Sequence, residues 1–527
     1  MATSTRGRTM VVIRTTVEPA RPRADRPEPE FMRATPVVHL RTNRVRGAMT
    51  VTMHILAIDQ GTSGTKAIVT GADGAVLAIA EEPLRPAYRP GGAVEQDPVA
   101  LLDSVLTAGR RAVAEAGVPV AAVALANQGE TVLAWDRATG APLTPAIVWQ
   151  DRRAESVCAA RAGSAGRVAA LTGLVLDPYF SAPKMRWIRE RLTTAGVVTT
   201  TDTWLVHRLC GAFVTDASTA SRSLLLDLDE GRWHDELLDL FGLGGEALPD
   251  VVASDAVVGT TTAFGGDVPV TGLIVDQQAA LLAEACLAPG TAKCTYGTGA
   301  FLLAQLGGAA ARSRSGLSTS IAWRLRDRVD HCVDGQVYTA ASAVRWLTDL
   351  GLVTGADELD TVAAAGSDGV LCVPALAGLA APWWDAGATA SFSGMTLSTG
   401  RGHLVRAVLE GVAAQVAALA ALVGDDLGTP LTTLRVDGGL TRSRVLMQAQ
   451  ADLAQLPVEV YPSPHATPLG AAACAALALD PALGPADVTG GWRPAATYEP
   501  RWSPERAAEH LGRWHAAAGA TLSRAAT

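Results

Sequence analysis

The sequence predicts a two-domain α/β protein, and three observations carry that expectation. At 527 residues the chain exceeds what one hydrophobic core holds, about 250–300 residues. A strand, a Gly/Thr turn and a second strand open the regular part at "AIDQGTSGTKAIV", and the same arrangement recurs at "GTAKCTYGTGAFLLAQL" (290–306). After each opening, apolar runs of strand length alternate with stretches of helical period.

Residues 1–52 stand apart. They hold about ten arginines, many prolines and little apolar periodicity, and no secretory h-region. They are expected to be a disordered or untranslated extension, with translation starting at Met49 or Met53. Beyond them, Gly61 and Gly64 mark the turn of one hairpin and Asp73-Gly74 the turn of a second. Residues 97–117 read as a helix capped by Asp97 and ended by Gly117. The strand "VAAVALA" (120–126) then runs into "NQGET", and "VTGLIV" ends at Asp276, where the helix "QQAALLAEACL" begins. In the second half "LSTSIAWRL" and "HCVDGQVYT" extend the antiparallel pattern, and "AASAVRWLTDLGL" is a helix. Residues 431–461 read as strand, Gly-Gly turn, helix and strand, and "TPLGAAACAALALD" is the last core helix. The expected units are the extension (1–52), a first domain (53–284), a second domain (285–485) and a tail (486–527).

Bulk properties narrow the function. A net charge of −8 argues against general nucleic-acid binding, which needs a basic face. The seven cysteines form no C-x-x-C pair, and no histidine cluster has zinc spacing. Reduced thiols in a cytoplasmic protein are therefore expected. The apolar stretch 404–424 carries Arg406, Glu410 and Gln415, so it reads as a packed core helix, and no membrane insertion is expected.

The candidate chemistry lies at the turns. "DQGTSGTK" lacks the spacing of a Walker loop and sits between antiparallel strands. Its N–H groups and the hydroxyls of Thr62, Ser63 and Thr65 can converge on a phosphate oxygen, and Asp59 can hold a hydrated Mg²⁺. A decorated β-turn is the plainer alternative. A second Gly/Thr hairpin (295–299) and the Gly-Gly turn in "RVDGGLTRSRVLMQ" would clamp a nucleotide from other sides. Asp276, at a strand-to-helix junction, suits a general base that takes a proton from an alcohol attacking a γ-phosphate; an ordinary N-cap is the alternative.

These motifs carry a resemblance. "AIDQGTSGTKAIV", "NQGET", "AIVWQDRR", "YFSAPKMRWI", "TDASTASRSLL", "DQQAAL", "TYGTGAF", "RVDGG", "TPLGAA" and the segment 390–411 occur in the order found in the FGGY carbohydrate kinases. The chain resembles that family from about residue 54 to 480, and most of all its glycerol-phosphorylating branch. The resemblance implies an actin-like/ribonuclease H-like ATPase fold with the active site in an interdomain cleft. It implies ATP and Mg²⁺ as cofactors, phosphorylation of a terminal hydroxyl of a small polyol (glycerol first), and a homo-oligomer, dimer or tetramer. It assigns Asp276 as catalytic base and Asp59 to the metal. It assigns Gly129, Glu130, Trp149, Tyr179, Asp276, Gln277 and Phe301 to the polyol, and Thr62, Ser63, Gly64, Lys66, Thr298, Ala341, Gly439 and Ser443 to ATP.

The pattern is broken at several positions. The family's branch for glycerol usually carries arginine where this chain has Gly129; its absence removes a charge-assisted hydrogen bond and is expected to leave room. Ala341 and Ser443 stand where glycine and asparagine are usual, and Asp267 replaces an arginine that some members use to bind fructose bisphosphate, so no such feedback is expected. Two alternatives follow: a sibling kinase for erythritol, threitol, xylulose or ribulose, and a non-enzymatic actin-like ATP switch.

Overall fold

The computed structural model describes residues 53–523 apart from 72 and 429, so the expectations for 1–52 fall outside the described residues. Glycine-bearing turns set the first strands. β1 (Ile55–Gln60) and β2 (Gly64–Thr70) form one antiparallel hairpin, and β3 (Val76–Pro83) closes the second. A side chain at position 64 would start 2.7 Å from the Glu82 carbonyl, so glycine is required there. α1 (Pro98–Ala116) begins where the Asp97 carboxylate accepts from Val99 N–H and ends where Gly117 turns left-handed. β4 (Ala122–Asn127), wholly buried, lies parallel to β1. β5 (Val132–Trp135) leaves for a smaller sheet. After α2 (Ser181–Arg191) and α3 (Ala217–Ser221), β6 (Gly259–Thr261) pairs antiparallel with β7 (Val268–Val275), and β7 lies parallel to β4. α4 (Asp276–Ala283) starts at the next residue. Among the described residues this first sheet has the order β6-β7-β4-β1-β2-β3.

The second sheet repeats the wiring. β8 (Thr291–Tyr296), β9 (Ala300–Gly307), β10 (Ser318–Leu325) and β11 (Arg328–Val337) are antiparallel. α5 (Ala341–Asp349) and α6 (Arg401–Leu427) lead to β12 (Thr433–Asp437), which lies parallel to β8. α7 (Arg444–Ala454), β13 (Val458–Val460) and α8 (Ala466–Leu479) complete the unit. The order is β10-β11-β9-β8-β12-β13, with β14 (Ala496–Tyr498) at the edge. In both sheets antiparallel strands flank one side of the opening strand and helix-connected parallel strands flank the other. This is the expected two-domain actin-like/ribonuclease H-like arrangement.

Two details refine the expectations. α6 has the length and apolarity of a membrane span but is buried in the core of the second domain, packed as a core helix. The residues beyond 485 are not a mere tail. β14 pairs with β13, and α9 (Pro504–Thr521) places Trp514, with no exposed surface, in that same core, its ring N–H donating to the Cys372 carbonyl.

α8 belongs by sequence to the second half yet packs against α4, β7, β1 and β4 of the first. Small residues permit this. A Cβ on Gly470 would lie 1.9 Å from the Ala279 carbonyl oxygen, so the two backbones touch with no side chain between them. Alanines of both helices, with Leu469, Leu281 and Leu282, form one cluster shared by the domains.

Candidate active site

Register brings the candidate residues to one edge. Asp59 of β1 stands beside Ala126 of β4, Gln60 beside Asn127, and Asn127 beside Val275 of β7. Three adjacent parallel strands therefore end level, and Asp276 follows at once. In the second sheet Asp437, ending β12, pairs with Thr295 of β8. Crevices beyond the carboxyl ends of strands are where such sheets place ligands.

A cavity of about 150 Å³ opens at this edge. It brings together Gly129, Glu130, Trp149, Tyr179, Asp276, Gln277 and Phe301, and adds Thr62, Ser63 and Thr298 from the two hairpins. Trp149 meets Tyr179 and Phe301 edge-on at 5.5 and 6.0 Å, which makes an aromatic wall. Glu130 faces it from an unusual backbone, with φ at 58°. Left-handed geometry is costly for a non-glycine residue and occurs where surroundings impose it. Here Gln128 N–H donates to the Gln60 carbonyl and Thr131 N–H to that of Gly129 at 2.7 Å, which pinches the turn after β4.

The first hairpin is used differently from the expectation. The Thr62 hydroxyl donates to Gln128 Oε1 and accepts from the Trp149 ring N–H, both at 2.9 Å, so it ties the hairpin to the aromatic wall. Thr65 is buried against Ser104 at 2.6 Å, because alternation along β2 turns it toward α1, away from the cleft. Ser63 stays exposed. Lys66 pairs with Glu81 at 3.1 Å and sits across the register from Asp59. Asp59, Gly64, Lys66, Ala341, Gly439 and Ser443 do not line the cavity. Ala341 and Ser342 follow the second hairpin, whose Thr298 carbonyl accepts from Ala340 and Ser342 N–H. Gly439 is exposed with open space over its Cα, whereas its neighbour Gly438 (φ 95°) would drive a Cβ within 2.5 Å of the Tyr296 carbonyl. Ser443 is turned away: its hydroxyl donates to Asp360 at 2.7 Å and caps α7.

Burial and mutual repulsion tune the acids. Asp276 is pushed up to about 6, chiefly by burial and then by the Glu130 charge, while Lys293 opposes the shift. Among the described residues its carboxylate accepts only from the adjacent Gln277 N–H, at 2.7 Å, and Val275 holds the N-cap position of α4, so a capping role is not what Asp276 fills. Asp59 is pushed up to about 7 by burial and by Asp276, with Lys66 opposing. Asp437 also rises through burial, and its Oδ1 is buried without a hydrogen-bond partner. Among the described residues no cluster of three or more His, Cys, Asp or Glu could enclose a metal. The donor set fits a hydrated Mg²⁺ instead, which keeps several waters and takes one or two carboxylates.

Several residues of the site lie in or beside the resemblance-bearing motifs but are not assigned a role by the sequence. Arg222 is buried; its Nε donates to Glu130, and Nη1 reaches Asp334 of β11 at 2.8 Å. Lys293 of β8, also buried, donates to Gln277 Oε1 at 2.5 Å and to Thr295 Oγ1 at 2.7 Å. Lys184 of α2 donates to the carbonyls of Pro178, Tyr179 and Phe180 at 2.5–2.8 Å and so fixes the loop that carries Tyr179. All three are charges inside the protein, and a lone Arg or Lys in sequence reads first as surface.

Residues 54–283 match the N-terminal domain, and 292–479 the C-terminal domain, of the FGGY family of carbohydrate kinases. The chain is 42% identical over 483 residues to a glycerol kinase of Trichlorobacter lovleyi, covering 88% of this chain and 97% of that one. It is 41% identical over 479 residues to a glycerol kinase of Thermus brockianus, covering 87% and 96%. Among solved structures, glycerol kinase of Plasmodium falciparum with ADP superposes with a TM-score of 0.83 at 29% identity, over 90% of this chain and 99% of that one.

Proposed function

Since the chain belongs to the FGGY family of carbohydrate kinases, we propose that it transfers the γ-phosphoryl group of ATP to a terminal hydroxyl of glycerol, giving sn-glycerol 3-phosphate and ADP. The observation that carries this reading is the cavity of about 150 Å³ where two carboxylates, two amides and four aromatic side chains converge. Pockets for drug-sized ligands run to about 300–1,000 Å³, so this one suits a molecule of a few carbons.

The chain's own residues supply positioning and proton transfer. Trp149, Tyr179 and Phe301 hold the C–H face of the acceptor, and Glu130 and Gln277 take its hydroxyls. Asp276 accepts the proton of the attacking hydroxyl as that oxygen bonds to the γ-phosphorus and the bond to the β-phosphate bridging oxygen breaks. Main-chain N–H groups of the 62–64 and 297–299 turns and Lys66 would meet the phosphates of bound ATP from the two domains. Asp59 and Asp437 would hold Mg²⁺, which when bound neutralises charge on the phosphates. Seven free cysteines, six of them buried, support a reducing, cytoplasmic setting.

The reading for a longer polyol or ketose rested on space at Gly129. A Cβ there would meet Val275 Cγ2 at 2.8 Å, so the space is already filled and that alternative has less support. ADP-release assays over glycerol, erythritol, threitol, xylulose and ribulose test the proposal. Glycerol turning over no faster than the water background would overturn it.

A further inference from the structure

We propose that Lys293 is a positioning residue for the acceptor: it holds the side-chain oxygen of Gln277 and so turns the amide nitrogen into the cavity, where Gln277 meets the polyol only as a hydrogen-bond donor. The inference deepens the proposed function and rests on it for the presence of a polyol.

The polarity follows from the chemistry of the lysine. An ammonium carries three donors and no acceptor, so the amide atom it touches must be the oxygen. Lys293 Nζ lies 2.5 Å from Gln277 Oε1 and 2.7 Å from Thr295 Oγ1. Lys293 is fully buried, and its strand β8 is paired on both sides, by β9 and β12, so the ammonium is fixed in place. Gln277 lines the acceptor cavity and a smaller one of about 20 Å³ beside it, and both also take in Glu130 and Asp276. Its Nε2 donates to no protein group among the described residues. With the oxygen held, the two N–H donors at the other end are left for a ligand.

The cavity has a use for such a donor. Each hydroxyl of a polyol brings one proton and two lone pairs. Glu130 and Asp276, when ionised, take protons and give none. The Trp149 ring N–H is spent on Thr62, and the Thr62 hydroxyl on Gln128. A hydroxyl that directs its proton at Asp276 can still accept, and the amide of the next residue offers the N–H. A flipped Gln277 would set a third acceptor against the same oxygen and leave one of them unpaired.

The bond also crosses between the domains. Lys293 and Thr295 belong to β8 of the second, two residues before the 297–299 turn, and Gln277 belongs to α4 of the first. Charge balance is the competing role, because the Lys293 charge opposes the upward shifts of Asp276, Asp437 and Glu284. The two roles differ in one respect: positioning works only through the Gln277 amide.

The experiment reads that difference. Glycerol binding to the full chain is measured by calorimetry without nucleotide, so the chemical step does not enter. Gln277→Leu should weaken binding by about 5–100-fold, the cost of leaving a buried hydroxyl without its donor. Lys293→Met, which frees the amide to turn, should weaken it by about 2–10-fold. In the double variant the lysine change should add less than about twofold to Gln277→Leu. An equal loss from Lys293→Met in both backgrounds marks charge balance and overturns the positioning role, as does no loss in either. Gln277→Glu carries the test if Lys293→Met does not fold. It keeps the shape and the Lys293 partner but offers the cavity only acceptors, and it should weaken glycerol by about tenfold or more. Undiminished binding by Gln277→Glu overturns the inference alone. A folded wild type that neither binds nor phosphorylates glycerol overturns the proposed function, and this inference with it.

Discussion

Arg222 Nη1 stands 2.8 Å from Asp334 Oδ1, and the same guanidinium reaches back to Glu130. One buried cation thus joins the end of α3, the turn after β4 and strand β11 of the other domain. The side chains of Arg222, Glu130 and Asp334 are only 6%, 4% and 4% exposed. Replacing Arg222 by Met leaves two buried carboxylates unpaired, a loss of about 3–5 kcal/mol. Arg222→Met is expected to lower Tm sharply in a calorimetric scan and to raise KM for glycerol, because Glu130 loses the partner that orients it. Unchanged KM would show that Glu130 is held by its backbone alone.

Asp276 gives the pH dependence. A base must be unprotonated, and burial with the Glu130 charge raises its pKa to about 6. In the free enzyme, kcat/KM should therefore rise with pH through about 6 and level off above it. Asp276→Asn should lose about 10²–10⁴-fold in kcat while binding ATP normally, and its residual rate should lack that limb. Nucleotide titration by fluorescence and a pH–rate profile check the two halves of this expectation.

Lys184 holds three carbonyls with three N–H donors, the number that only the ammonium form supplies, although burial pushes its pKa down to about 7. Lys184→Met strands those carbonyls at about 1–3 kcal/mol each. The loop bearing Tyr179 should loosen, with KM for the acceptor rising more than KM for ATP. Equal changes in both would point to general unfolding, which hydrogen exchange across 177–181 would report.

Glu284 is buried with both carboxylate oxygens unpartnered, and burial raises its pKa well above the usual 4.5. The folded protein keeps a proton there that the unfolded chain releases, so its contribution to stability is intact below about 4.5 and is lost as pH rises. Glu284→Gln removes the ionisation while keeping the shape. Between pH 5 and 8 the wild-type Tm should fall relative to the variant, and parallel Tm curves would refute the assignment.

Much of this was legible in the sequence because local rules governed it. Asp97 and Gly117 bound α1 through capping chemistry alone, and glycines marked the hairpins. Asp276 stood out because a strand ended and a helix began at one acidic residue. What was not legible depends on partners far along the chain. Arg222 meets Glu130 and Asp334 across 92 and 112 residues, and nothing in "TASRSLL" distinguishes it from a surface arginine. The turn composition points Thr65 at the phosphate side, but the alternation of β2 turns its hydroxyl to Ser104 on the other face. Val275 read as an ordinary strand residue, since only packing shows that it fills the place of a side chain at 129. The segment after 485 looked like a tail because its Trp and Pro content has no clear period, yet Trp514 anchors it.

The bare crossing of Gly470 over the Ala279 carbonyl sets a dimension of the molecule. Ala279 lies one turn along α4 from Asp276, so the base sits on the same short rod whose flank rests on a residue of the opposite domain. The rod is thereby shimmed to zero thickness: any methyl at 470 acts as a wedge between the halves and shifts the proton acceptor relative to phosphates held on the far side. Reach between base and nucleotide is thus gauged by a glycine that touches neither.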